Sequence, residues 1–146
     1  MGYGMLLMRK QIIMLFLALF VMVSNSYAGS TKENYELQER CGKSSAEFFK
    51  KLYGSGDDIK NLIHSYVSHY NKKLDKCFIE IVSIGEGEGG RQGSLVMQLY
   101  DVHEDKLYAI FYKTSEKMDC SLYVPQIMKC HSQEQWNQLV KPFMEK

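Results

Sequence analysis

Four histidines, His64, His69, His103 and His131, are the side chains of this chain best suited to exchange a proton near neutral pH or to hold a metal. Their spacing works against both roles. His64 and His69 lie five residues apart in a run with strand periodicity, so they project from opposite faces. His103-Glu104-Asp105 clusters donors and acceptors in a short polar segment, which is also the ordinary composition of a turn. His131 follows Cys130 directly, at the start of the last helical pattern. No serine stands in a G-x-S-x-G setting. The acidic pairs Asp57-Asp58 and Glu86 with Glu88 fall in breaker-rich stretches, where the fixed geometry and raised pKa of an acid-base pair are hard to arrange. Gly85 to Gly90 spells G-x-G-x-x-G, yet a strand pattern follows it rather than the helix whose N-terminus would meet a phosphate. Glu86 and Glu88 would repel that phosphate, and Arg91 is the one nearby cation. These residues predict no cofactor, no metal and no catalytic group.

Cysteine is the remaining reactive type. Cys41, Cys77, Cys120 and Cys130 sit in neither a C-x-x-C redox motif nor zinc-finger spacing, and an even count in a small exported domain reads as two disulfides. Sequence alone allows three pairings. We expect Cys41 with Cys77 and Cys120 with Cys130, since the second pair is close in sequence and flanks Pro125. Export itself is read from the first residues: Arg9 and Lys10, an uncharged apolar run from Ile12 to Val23, then Ser26-Tyr27-Ala28. This is the layout of a cleavable signal peptide over residues 1–28. A run of 12 apolar residues falls short of the roughly 20 that span a bilayer. Residues 29–146 then form a single domain, periplasmic or secreted, with no stable membrane insertion after cleavage.

The leader carries two of the 18 basic residues and none of the 17 acidic ones, leaving the remainder near neutrality at −1. Such a balance, with basic residues scattered singly or in pairs, gives no electrostatic reason to expect nucleic acid as a partner.

Two helical and four strand patterns position these residues. Leu37, Cys41, Ser44, Phe48 and Leu52 recur at helical steps between Ser30 and Tyr53. Gly42 and a possible restart at Ser44-Ser45-Ala46-Glu47 leave open whether this is one helix or two. Period-two runs follow at Leu62–Tyr70 and Lys76–Ile84, then SLVMQLYD and KLYAIFYK around Val102 to Asp105. Leu122 to Val124 suggests a further short strand. Ser132 and Gln135 form a capping box before Trp136, Leu139, Val140, Phe143 and Met144, with Pro142 near the end. The expected fold class is α+β: an antiparallel four-stranded meander with N-terminal and C-terminal helices packed on one face, and two disulfides.

Alternation places Leu95, Met97, Leu99, Leu107, Ala109 and Phe111 on an inner face. The outer face then carries Tyr66, Tyr70, Gln98, Tyr100, Tyr108 and Tyr112, with His64 and Ser68 beside them. Tyrosine offers a large contact area with a polar tip, which suits recognition of a protein or an envelope component. The expected function is a non-enzymatic binding module using this face. The alternative is a small hydrolase or metal-dependent enzyme built from loop histidines and acids.

At ERCGKSSAEFFKKLYG, HYNKKLDKCFIEI, LYDVHEDKLYAIF and CHSQEQWNQLVKPFMEK the chain resembles small uncharacterised exported bacterial proteins. That resemblance implies a two-helix, disulfide-bearing domain of the bacterial envelope. It brings no catalytic or binding residues with it.

Overall fold

A computed structural model describes residues 32–54, 62–85 and 93–145. The expected signal peptide over residues 1–28, the acids of 55–61 and the glycine-rich segment 86–92 lie outside the described residues. The chain divides into two units, Met1–Glu36 and Leu37–Lys146. The first is described only over residues 32–36, a helical turn with a Lys32–Glu36 ion pair. Apart from that helical turn, everything below concerns the second.

Helix α1 covers residues 32–53 without interruption, so Gly42 does not divide it. The sheet that follows has six antiparallel strands in sequence order: β1 (Leu62–Asn71), β2 (Lys76–Gly85), β3 (Leu95–Asp101), β4 (Lys106–Lys113), β5 (Met118–Leu122) and β6 (Met128–Lys129). Helix α2 (Gln133–Met144) closes the chain. The class is α+β as expected, but the meander has six strands rather than four. The fifth strand was expected only at Leu122 to Val124 because MDCSL has no β-branched residue, and β6 spans only two residues.

The expectation that both helices pack on one face is corrected by β2. Its side chains alternate between two separate cores. Cys77, Ile79 and Ile81 meet α1 through Cys41 and Phe48. Phe78 and Val82 meet α2 through Trp136, Val140 and Phe143. A central strand buried on both faces reads as a nearly continuous apolar run, as KCFIEIVSI does, so alternation cannot say which side is wet.

On the α2 side, Phe78, Tyr108 and Phe143 pack edge to face with centroids 5.1, 5.3 and 5.6 Å apart. Such pairs contribute about 0.5–1.5 kcal/mol each beyond area burial. Trp136 is fully buried and its indole N–H donates to Glu80 at 2.9 Å. Ser132 caps α2 by accepting from the backbone N–H of Gln135 at 3.1 Å. The Gln135 side chain reaches back to the N–H of His131 at 2.7 Å, one residue before the cap.

Both disulfides pair as expected, Cys41–Cys77 in the α1-side core and Cys120–Cys130 in the α2-side core. The two long hairpins also share a device. Asn71 and Asp101 begin turns ending at Asp75 and Asp105, which adopt positive φ of 52° and 50°. The side-chain oxygens of Asn71 and Asp101 accept from the backbone N–H groups of Leu74 and Glu104, three residues on, at 3.1 and 3.2 Å. Asp and Asn tolerate the left-handed region because their short polar groups bond locally.

Candidate recognition face

The sheet face expected to be open lies on the α1 side, and α1 covers part of it. Antiparallel register puts Tyr66, His64 and Tyr70 of β1 beside Ile81, Ser83 and Cys77, and puts Gln98 and Tyr100 of β3 on the same side. Phe49 of α1 lies against Tyr66, with centroids 4.7 Å apart, and Phe48 against Tyr100 at 5.3 Å. The Tyr53 hydroxyl donates to Gln98 Oε1 at 2.9 Å, and Gln98 Nε2 donates to the Tyr100 hydroxyl at 3.1 Å. Burial, then the neighbouring Tyr53 and Asp105, pushes the Tyr100 hydroxyl above the usual tyrosine range. The Tyr70 hydroxyl donates to the Asp75 carboxylate. Tyr66 keeps 37% of its surface exposed.

Tyr108 does not belong to this face. Register shifts between Leu99 and Tyr100, so that Leu99 opposes Ala109 while Tyr100 opposes Leu107. The extra residue, Tyr108, turns inward with Ala109 and is 5% exposed in the α2-side core. Leu107 moves to the α1 side instead. A β-bulge of this kind reverses the alternation on one side of itself, so a strict period-two reading fails there.

Tyr112 stays on the α1-side face, opposite Val96 of β3 and Asp119 of β5. It is half-buried, as is its strand neighbour on that face, Ile110, which opposes Ser121. Lys129 of β6 reaches over this end of the sheet, donating to Ser121 Oγ at 2.7 Å and pairing with exposed Asp119 at 3.4 Å. Side-chain bonds from α1 reach Gln98 of β3 and Asp105, and beyond them Tyr112, Ile110, Asp119 and Lys129 form an aromatic and polar strip over β4–β6. Sequence reasoning found Tyr112 but missed Asp119 and Lys129, since the short strand suggested at Leu122 to Val124 meets β5 only at Leu122 and β6 was not read as a strand.

The histidines separate as their spacing implied. His64 faces α1, its Nδ1 2.7 Å from Ser83 Oγ and its ring 4.2 Å from that of Tyr53. The buried His64 Nε2 has no partner among the described residues. Ser83 is 6% exposed, so its hydroxyl is out of reach of a substrate in this arrangement. In the β3–β4 turn, Glu104 pairs with Lys76 and Asp105 with Lys51, so the acids beside His103 are already neutralised by lysines. Among the described residues no group of three or more His, Cys, Asp or Glu side chains could hold a metal. Lys76 also pairs with Asp101, which is almost fully buried. Asp101 first, then Glu104, holds the Lys76 ammonium above the ordinary lysine range.

A separate groove of about 510 Å³ lies where the β1–β2 turn meets the end of α2, lined by Asn71, Lys73, Leu74, Lys141 and Phe143 among others. No described helix is long and apolar enough to cross a membrane. No protein-family model, no curated protein and no solved structure matches this chain.

Proposed function

We propose that this is an exported bacterial domain of the periplasm or extracellular space, released from a signal peptide over residues 1–28, which works as a non-enzymatic binding module. Its recognition surface is the part of the tyrosine-bearing sheet face that α1 leaves open. The observation that carries this reading is the strip on β4–β6, where half-buried Tyr112 and Ile110 lie beside the exposed Asp119–Lys129 pair. An amphipathic ring bordered by one charge of each sign suits a protein or glycan surface of mixed polarity. Tyr66, at the far side of α1, is a second exposed contact. Tyr70, Gln98 and Tyr100 support α1, and Tyr108 supports α2, so they hold the surface rather than form it.

The test is binding of soluble peptidoglycan fragments and of exported-fraction proteins to the oxidised domain, compared with Tyr112→Ala and Ile110→Ser. Loss of a saturable partner in both variants, with unchanged thermal unfolding, supports the reading. Retention of every partner by both variants overturns it.

The enzyme reading keeps one observation in its favour, the His64–Ser83 contact with an unpartnered ring nitrogen. A serine activated by that histidine would react with a fluorophosphonate probe in the native protein and lose the label on Ser83→Ala. We expect no labelling, because Ser83 is covered.

A further inference from the structure

We infer that the exposed edge of β1 pairs with the β1 edge of a second copy of this chain, antiparallel about a two-fold axis at Ser65, to join two sheets into one. The strand is ten residues long and lies at the end of the sheet. Natural edge strands are usually protected by lysine, glutamate, proline or a covering element. LIHSYVSHYN contains no lysine, arginine, aspartate, glutamate or proline, and among the described residues Gln38 guards one end of it: it accepts from the backbone N–H of Tyr70 at 2.8 Å and donates to the carbonyl of Ser68 at 3.3 Å. Those two bonds also show which way the backbone points. In an antiparallel strand the N–H and C=O of one residue point the same way and alternate along the chain. The outward groups therefore belong to the even-numbered residues. Beyond Gln38, the N–H and C=O groups of His64 and Tyr66 face away from β2 with no backbone partner among the described residues.

The side chains then select the partner and the register. On the face turned away from α1, Ile63 and Val67 are each 64% exposed and Ile84, opposite Ile63, is 49% exposed. A two-fold axis at Ser65 sets His64 against Tyr66 of the partner subunit, forming four backbone hydrogen bonds and leaving Gln38 in place on both sides. The same register sets Ile63 against Val67 of the partner subunit, and Val67 against the partner's Ile63. Rows running Ile84, Ile63, then the partner's Val67 thus cross the junction in both directions, and exposed Ser65 meets its own copy at the centre. A second copy is favoured as occupant because the spacing of the apolar pair is self-complementary and an edge without lysine, arginine, aspartate or glutamate sets no pair of such charges against each other. Edge pairing alone is smaller than the ~1,200 Å² of a standard interface, so the dimer is transient.

Cross-linking reads the register directly. Positions facing each other in a non-hydrogen-bonded antiparallel pair have Cα atoms about 4.5 Å apart, within the range of ~4.4–6.8 Å that a disulfide spans. All four native cysteines are paired, so an introduced thiol reacts alone. The oxidised, exported form carrying Ser65→Cys forms a covalent dimer under mild oxidant. Ile63→Cys by itself does not, while Ile63→Cys mixed with Val67→Cys does. In sedimentation equilibrium between about 10 μM and about 1 mM, the span that covers weak affinities, the parent rises towards twice its monomer mass. Val67→Lys stays monomeric with unchanged unfolding. A parent that remains monomeric across that range, or a Ser65→Cys variant that cross-links no faster than Ile63→Cys, overturns the inference. Neither outcome depends on Tyr112, so the binding reading stands or falls separately.

Discussion

Asn71 joins three parts of the molecule with one side chain. It is 2% exposed, donates to the carbonyls of Pro142 at 2.8 Å and Phe143 at 3.1 Å, and accepts from the N–H of Leu74 at 3.1 Å. Those carbonyls lie in the last turn of α2, where intrahelical donors run out. Asn71→Ala removes three bonds of about 0.5–1.5 kcal/mol net each and leaves partly covered carbonyls unpaired, a loss of about 2–4 kcal/mol. Against a typical total of about 5–15 kcal/mol this is a large fraction. Asn71→Asp sharpens the test. It keeps the acceptor for Leu74 but turns a carboxylate oxygen towards two carbonyl oxygens, so at neutral pH it is at least as destabilising as alanine. The introduced carboxyl is raised in the folded state above its unfolded value of ~3.9. Its contribution is therefore fully present below that value and lost as pH rises through the folded one, so the aspartate variant gains on the alanine variant upon acidification. Urea unfolding of the oxidised protein, followed by the single and fully buried Trp136, measures both. A loss under about 1 kcal/mol for Asn71→Ala, or an aspartate variant more stable than the alanine variant at pH 7, refutes the reasoning.

Lys76→Met strips the ammonium from buried Asp101. We expect a loss of about 2 kcal/mol at neutral pH, less than for a fully buried pair, because the Lys76 side chain remains 27% exposed. Since Lys76 is raised in the folded state, its contribution is complete below the ordinary lysine value of ~10.4 and is lost as pH climbs beyond it, so parent and variant converge in alkaline urea titrations. Gly42 sits inside α1, and a Cβ there would meet only Ser68 Oγ, at 4.0 Å. Gly42→Ala should therefore stabilise by about 0.5–1 kcal/mol in the same assay. Removing Cys41–Cys77, which closes a separation of 36 residues, should cost about 4 kcal/mol by chain entropy. Removing Cys120–Cys130, at a separation of 10, should cost about 3 kcal/mol. Paired alanine variants unfolded in urea give the order, and the reverse order would count against the entropic account.

Much of the hairpin architecture was legible because its turns are chemically explicit. Asn71 to Asp75 and Asp101 to Asp105 end in residues that tolerate positive φ, and the strands beside them have period two. The disulfide pairing was legible from the even cysteine count and from the closeness of Cys120 and Cys130 in sequence. Cys41 and Phe48 of the expected α1 stripe are buried, but Ser45 rather than Ser44 is the buried serine and Leu52 is 40% exposed, so the reading departs from the structure at Ser44 and Leu52. Two features were hidden for a physical reason. Which face of β2 meets which helix depends on contacts far apart in sequence, and an apolar central strand has no wet side to betray. The bulge at Tyr108 exchanges the faces expected for Tyr108 and Leu107 without any glycine or proline to mark it. The candidate face was half legible in consequence: Tyr66 and Tyr112 are on it and accessible, Tyr70, Gln98 and Tyr100 support the helix above it, and Tyr108 lies on the other side.

Both disulfides join cysteines that are consecutive along the chain, Cys41 to Cys77 and Cys120 to Cys130. In a polypeptide threaded amino end first into an oxidising compartment, each cysteine's native mate is the next thiol to arrive. An oxidase working on the emerging chain in order of appearance closes the correct bridges, and the pairing calls for no later shuffling. Because each bridge lies in a different core, an error in one need not propagate to the other, which makes the connectivity well matched to assembly during translocation.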